Sequence, residues 1–271
     1  MLKYLITVYT LLTLSFSAWA AREEVIRVPY DWNWTLETTI FKPYGEGPFP
    51  LVILNHGKEF GDARLQKRYR GYPIAREFTK RGYMVAMPMR LGFSKSDGVY
   101  KQYGCDMVKD GYIQAESVAP AVDFFKKRAD VDPNRVVMIG YSYGGVVSVA
   151  YAAAYPNTVR GVISFAGGFK KISGGCIWDI ELSKAYAEFG SKNKTPQLWI
   201  YANNDSLFSP AMVERMYRSF RQPNIPTRAV ILDDFEDDGH KLFEDPDGVS
   251  LWLPEVENFF KTLNLPFSIT Q

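Results

Sequence analysis

A recurring pair constrains this chain most: a short unbroken apolar run, then a stretch with helical spacing. Residues 51–54 (Leu-Val-Ile-Leu), 83–87, 135–139, 161–166, 197–201 and 228–232 are such runs. A strand without polar alternation is covered on both faces, as in a parallel sheet. The spacing predicts helices over 72–81, 113–128, 146–155, 212–220 and 254–263. Two alternating segments ahead of them, 25–28 and 36–41, predict an antiparallel hairpin. The pattern places the chain in the α/β class. The expectation is a doubly wound, mostly parallel eight-stranded sheet with helices on both faces. No repeat, low-complexity tract or Pro/Ser-rich linker divides it. Residues 21–271 therefore read as one domain, with small rim insertions near 92–111 and 167–195 that have little regular patterning.

The first twenty residues read differently. Lys3 gives an early positive charge, a run of about a dozen apolar or hydroxylic residues follows, and Ala18-Trp19-Ala20 has small residues at the positions a signal peptidase reads. We expect residues 1–20 to be a cleaved signal peptide and the mature chain to be periplasmic or extracellular. The run is shorter than the roughly 20 residues a membrane-crossing helix needs, so no span is expected in the mature chain. The net charge of +2 and the lack of a basic run argue against a nucleic-acid partner. Cys105 and Cys176 are the only cysteines. In an exported chain such a pair reads first as a disulfide, the alternative being two independent buried thiols. With two histidines and no Cys-x-x-Cys spacing, no metal site is expected. Nothing in the sequence bears on oligomeric state.

Sheets of this kind bind ligands beyond the carboxyl ends of their strands. There Gly140-Tyr141-Ser142-Tyr143-Gly144 matches Gly-x-Ser-x-Gly. The pattern is weak alone. Between an apolar strand and a small-residue helix it fits a nucleophile elbow, which lifts the serine hydroxyl to the top of the sheet. The bland alternative is a glycine-rich turn without chemistry. A serine at neutral pH needs a base. In such hydrolases the order along the chain is Ser, acid, His, and of His56 and His240 only His240 follows Ser142. Asp205 ends a strand between them and is the candidate acid. Asp233, Asp234, Asp237 and Asp238 compete, but read better as a solvated acidic loop. An oxyanion needs two donors. The backbone N–H of Tyr143 and that of Lys58, in the loop His56-Gly57-Lys58, are the candidates, with His56 as a residue that holds the loop.

His56-Gly57, the stretch Arg90-Leu-Gly-Phe-Ser-Lys-Ser-Asp-Gly, Gly-Tyr-Ser-Tyr-Gly-Gly, Asn-Asn-Asp205 and Gly-His240 occur in this order. Together they resemble the dienelactone hydrolase and prolyl-oligopeptidase-like branch of the α/β-hydrolases, over nearly the whole mature chain. The resemblance implies hydrolysis through an acyl-enzyme, with neither metal nor organic cofactor. Dienelactone hydrolases use a cysteine nucleophile where Ser142 stands here, so dienelactone is not the expected substrate. The oligopeptidases' propeller domain is missing, so no gate excludes long peptides. The expected function is a secreted serine hydrolase acting on a small-molecule carboxylic ester. Alternatives are a serine peptidase releasing short peptides, towards which the Arg90 loop leans, acyl transfer to another acceptor, and a catalytically dead binding protein. Tyr100, Tyr103, Tyr143, Phe169 and Trp178 are expected either at the entrance of the site or in ordinary loop packing. A bond between Cys105 and Cys176 would clamp two rim loops over the pocket.

Overall fold

The computed structural model describes residues 21–171 and 175–270. The expected signal peptide lies outside the described residues. Strand β1 (Arg22–Pro29) pairs antiparallel with β2 (Thr35–Lys42), forming the expected hairpin. Then come β3 (Phe49–Asn55), α1 (Tyr72–Thr79), β4 (Met84–Pro88), α2 (Met107–Lys126), β5 (Val131–Tyr141) and α3 (Tyr143–Ala154). The chain continues through β6 (Gly161–Phe165), α4 (Trp178–Lys192), β7 (Gln197–Ala202), α5 (Pro210–Phe220), β8 (Thr227–Leu232) and α6 (Val249–Thr262).

The eight strands form one sheet in the order β1-β2-β4-β3-β5-β6-β7-β8. It is parallel from β4 to β8, and β2 lies antiparallel to β4. Every residue of β3, β4, β6 and β7 is buried, which explains why their sequences do not alternate. Each fully buried aliphatic side chain contributes roughly 1.5–3 kcal/mol relative to exposure. On one face α1 and α6 meet, with the rings of Phe78 and Phe260 5.5 Å apart. On the other α2, α3, α4 and α5 pack together.

Three helices depart from the sequence reading. Helix α2 begins at Met107, inside the segment read as a rim insertion, because Asp106 caps it by accepting the Lys109 N–H at 2.9 Å. Helix α6 begins five residues before Pro254, which lies within the helix and not at its first turn. The segment 167–195 is not irregular throughout: Trp178–Lys192 forms α4, which buries Leu182, Ala185, Tyr186 and Phe189. Cys105, just before α2, and Cys176, just before α4, are joined in a disulfide with Cα atoms 5.6 Å apart. Among the described residues no helix is long and apolar enough to cross a membrane.

Candidate active site

The turn from β5 into α3 places Ser142 at the top of the sheet. Its φ of 53° is a conformation that side chains rarely adopt, at a typical cost of about 1–3 kcal/mol. Hydrogen bonds over-determine the turn: Ser142 N–H donates to Phe165 O at 2.9 Å, and Ser142 O accepts from Gly145 N at 2.9 Å and Gly168 N at 3.2 Å. Glycine is required at both ends. A Cβ on Gly140 would overlap the Gly144 carbonyl, and one on Gly144 would overlap that of Asn55.

The loops after β7 and β8 bring up the other groups. His240 Nε2 lies 3.2 Å from Ser142 Oγ, and His240 Nδ1 lies 3.2 and 3.1 Å from the two Asp205 oxygens. The Asp205 side chain is wholly buried, and its Oδ1 also accepts the Leu207 and Phe208 N–H groups at 2.9 and 3.0 Å. His240 is held from several sides, through its backbone as well as its ring. Tyr141 Oη donates to His240 O at 3.1 Å, and the Phe208 ring stands 5.7 Å away. Asp238, whose best sequence reading was a solvated loop residue, accepts the His240 N–H at 2.9 Å and the Ser206 hydroxyl at 2.9 Å. Burial pushes its carboxyl up, but the hydrogen bonds from His240 and Ser206 outweigh this and leave it below the usual carboxylate range.

Asn204 ties the two loops together. Its amide donates to the carbonyls of Phe235 and Glu236 and accepts the Phe235 N–H at 2.9 Å. The sequence reading used Asn204 only as part of a motif. Its bracing role needs the register of two loops some thirty residues apart.

The loop after β3 passes beside the serine, and a Cβ on Gly57 would stand 3.4 Å from Ser142 Cβ. His56 is buried. Its Nε2 accepts the Arg90 N–H at 3.1 Å, so Nδ1 carries the proton that goes to Gly57 O at 2.7 Å. Burial and the neighbouring Arg90 guanidinium hold His56 well below the usual imidazole range, against the hydrogen bond to Gly57. It is therefore a neutral ring whose two nitrogens are taken up by Gly57 O and the Arg90 N–H. Arg90 itself is fully buried and has no carboxylate partner among the described residues. It donates to His56 O at 2.6 Å, Gly57 O at 3.3 Å and Gln114 Oε1 at 3.1 Å. The sequence singled out the Arg90 stretch by resemblance alone, since nothing in its local pattern signals burial.

Ser142 and Tyr143 open onto a cleft of about 300 Å³, lined also by Lys58, Phe169, Lys171 and Phe208. The rings of Tyr143 and Phe169 stack 4.3 Å apart. Of the five aromatics expected at the entrance these two line the cleft. Tyr100 packs on Phe93, Tyr103 lies under the Lys109 ammonium, and Trp178 stands 6.4 Å from Phe208. Three lysines, Lys58, Lys170 and Lys171, and one carboxylate, Glu59, line the space. Among the described residues no cluster of side chains suits a metal ion. The geometry can pass a proton from a serine hydroxyl to an imidazole whose other nitrogen faces a buried carboxylate.

A family profile described as "X-Pro dipeptidyl-peptidase (S15 family)" matches residues 33–180. The quorum-quenching protein AidA of Acinetobacter baumannii is 31% identical over 133 residues, 48% of this chain and 40% of that protein. Poly(3-hydroxyalkanoate) depolymerase C of Paucimonas lemoignei is 28% identical over 119 residues, 44% of this chain and 28% of that one. The chain thus spans less than half the length of these curated relatives. Among solved structures, Pyrococcus furiosus esterase Pf2001 superposes with a TM-score of 0.63 at 16% identity, covering 89% of this chain and 90% of that one. At that identity the likeness establishes the α/β-hydrolase fold.

Proposed function

The chain belongs to the X-Pro dipeptidyl-peptidase (S15) family of hydrolases, and from that premise we propose that it is a secreted serine hydrolase that cleaves a carboxylic ester through an acyl-enzyme. One observation carries the reading: the unbroken line from Ser142 Oγ through His240 to the Asp205 carboxylate, in steps of 3.2 and 3.1 Å. In this reading Ser142 Oγ attacks the acyl carbonyl while His240 Nε2 takes its proton. The carbonyl π pair moves onto oxygen, where the N–H groups of Tyr143 and Lys58 receive it. Asp205 fixes the tautomer and stabilises the imidazolium. His240 then protonates the departing alcohol, and water repeats the sequence to free the acid. The disulfide favours an oxidising compartment and so supports export.

The second reading, a serine peptidase releasing short peptides, draws on the family's description. The cleft favours the ester. A free amino terminus entering it would meet three ammonium groups and one carboxylate. Two assays test the proposal. Ser142→Ala is expected to lower kcat on a 4-nitrophenyl acyl ester by about 10⁴-fold or more, and to abolish labelling by a fluorophosphonate. Undiminished turnover by that variant removes the serine from the mechanism. Faster release of 4-nitroaniline from an alanyl-prolyl anilide than of nitrophenol from the ester selects the peptidase.

A further inference from the structure

The charge on Arg90 calls for an explanation. A guanidinium taken wholly out of water is costly unless a carboxylate repays it, and among the described residues none pairs with this one. Burial lowers its pKa only to about 10, so it stays a cation at neutral pH. Its direct partners are the carbonyls of His56 and Gly57, the Gln114 amide, and the ring faces of Phe93 and Tyr143 at 4.9 and 5.3 Å. Ordinary loop bracing needs no charge, because a neutral donor can satisfy a carbonyl.

The identity of those carbonyls matters. Gly57 C=O and Lys58 N–H belong to one peptide unit, and His56 C=O and Gly57 N–H to the one before it. In a trans peptide the C=O and N–H point in opposite directions. Carbonyls drawn towards Arg90 therefore turn their N–H groups away from it. Gly57 O receives three donors: His56 Nδ1 at 2.7 Å, Arg90 Nη2 at 3.3 Å and Gln66 Nε2 at 3.4 Å. Donation into a carbonyl withdraws charge from its peptide and makes the N–H at the other end a stronger donor. The same guanidinium lies against the ring of Tyr143, whose backbone N–H is the other proposed oxyanion donor.

We propose that Arg90 is the positioning residue of the oxyanion hole: it fixes and polarises the Gly57–Lys58 peptide so that its N–H meets the negative charge formed at the acyl oxygen. The inference rests on the serine-hydrolase reading given above and adds a residue that touches neither substrate nor triad. Neutral His56 completes the device by donating to the same carbonyl. The chemistry is unchanged. As Oγ bonds to the carbonyl carbon the proton passes to His240, and Arg90 sets how well the resulting anion is held.

The test replaces Arg90 by methionine and by lysine in the full chain. The wild type is first shown to hydrolyse a 4-nitrophenyl ester in a Ser142-dependent manner, which establishes the underlying reading independently. Arg90→Met is then expected to lower kcat by about ten- to a hundredfold, less than the loss of a whole donor, with KM changed less than twofold. Arg90→Lys, which keeps the charge but lacks the fork that spans two carbonyls, should fall between them. The decisive readout uses a trifluoromethyl ketone, which adds Ser142 Oγ to give a hemiketal oxyanion. In the wild type the hemiketal is expected to be ionised at neutral pH, and in Arg90→Met its pKa, followed by fluorine NMR, is expected to rise by about one unit or more. A purely structural role would lower stability and leave the hemiketal pKa of the folded fraction where it was. That result, or a loss confined to KM, overturns the proposal. Should Arg90→Met not fold, Gln114→Met releases the Arg90 Nε and is read by the same two measurements, with the same outcomes deciding.

Discussion

The carboxyl of Asp110 lies on the first turn of α2, accepts the Tyr103 N–H through Oδ1, and has no hydrogen-bond partner for Oδ2 among the described residues. Burial raises its pKa to about 6, against the pull of the Tyr103 N–H and of Lys171. The unfolded chain titrates this group near 3.9. Between about pH 4 and 6 the folded state therefore holds a proton that the unfolded state has lost, and stability falls as pH rises. Above 6 the penalty is complete. Asp110→Asn removes it, so the variant is expected to melt a few degrees above the parent at pH 8 and level with it at pH 4, by calorimetry at matched ionic strength. Equal melting points at both pH values would show that the buried carboxyl is not strained. Single residues also mark how far the sequence could be read. Ser142, Asp205 and His240 were found by residue type, chain order and position after strands, and the fold brings them within hydrogen-bond reach. Arg90 and Asn204 entered only as members of motifs, and Asp238 only as a competing acid read as a solvated loop residue. Their parts depend on which carbonyls and loops lie beside them, and no periodicity records that.

At the scale of elements, β3, β4, β6 and β7 were legible because each is covered on both faces and so keeps an unbroken apolar spelling, whereas the apolar run of β8 lies at the sheet edge with no residue fully buried. Helix ends were harder. In α4 the spacing Leu182, Ala185, Tyr186, Phe189 is that of a helix with one buried side. However, Ile177 at its N-terminus offers no side-chain cap, and glycines precede it. In α6, Pro254 looks like a first-turn proline, although tertiary packing of Trp252 and Val256 carries the helix through it. The disulfide tests the coupling between elements. It closes a 71-residue separation and joins the starts of α2 and α4. Cys105→Ser with Cys176→Ser is expected to cost up to about 4 kcal/mol in a urea titration, with a smaller loss if the reduced chain retains structure. A change below a few tenths of a kcal/mol would mean that the helix packing alone sets the rim.

The whole molecule is organised by its sheet. Among the described residues all eight strands belong to it, and one large core runs from Val28 in the hairpin to Phe267 beyond α6, with a small cluster of Ala63, Met89 and Phe93 beside it. We therefore propose that residues 21–270 unfold as one cooperative unit. Calorimetry is expected to give a single transition whose van't Hoff and calorimetric enthalpies agree. Two resolved transitions would divide the chain into domains. The order in which the sheet is written along the polypeptide has one more consequence. The hydroxyl on the β5 turn is synthesised about a hundred residues before the imidazole that sits beyond β8. Under the proposed roles, a nascent chain still attached to a ribosome, or one threaded unfolded through a translocation pore, carries its nucleophile without a base. In that reading it is chemically silent until the segment beyond the last strand has been laid down, and, were the chain exported as proposed, the cell that makes it would not meet its activity during passage.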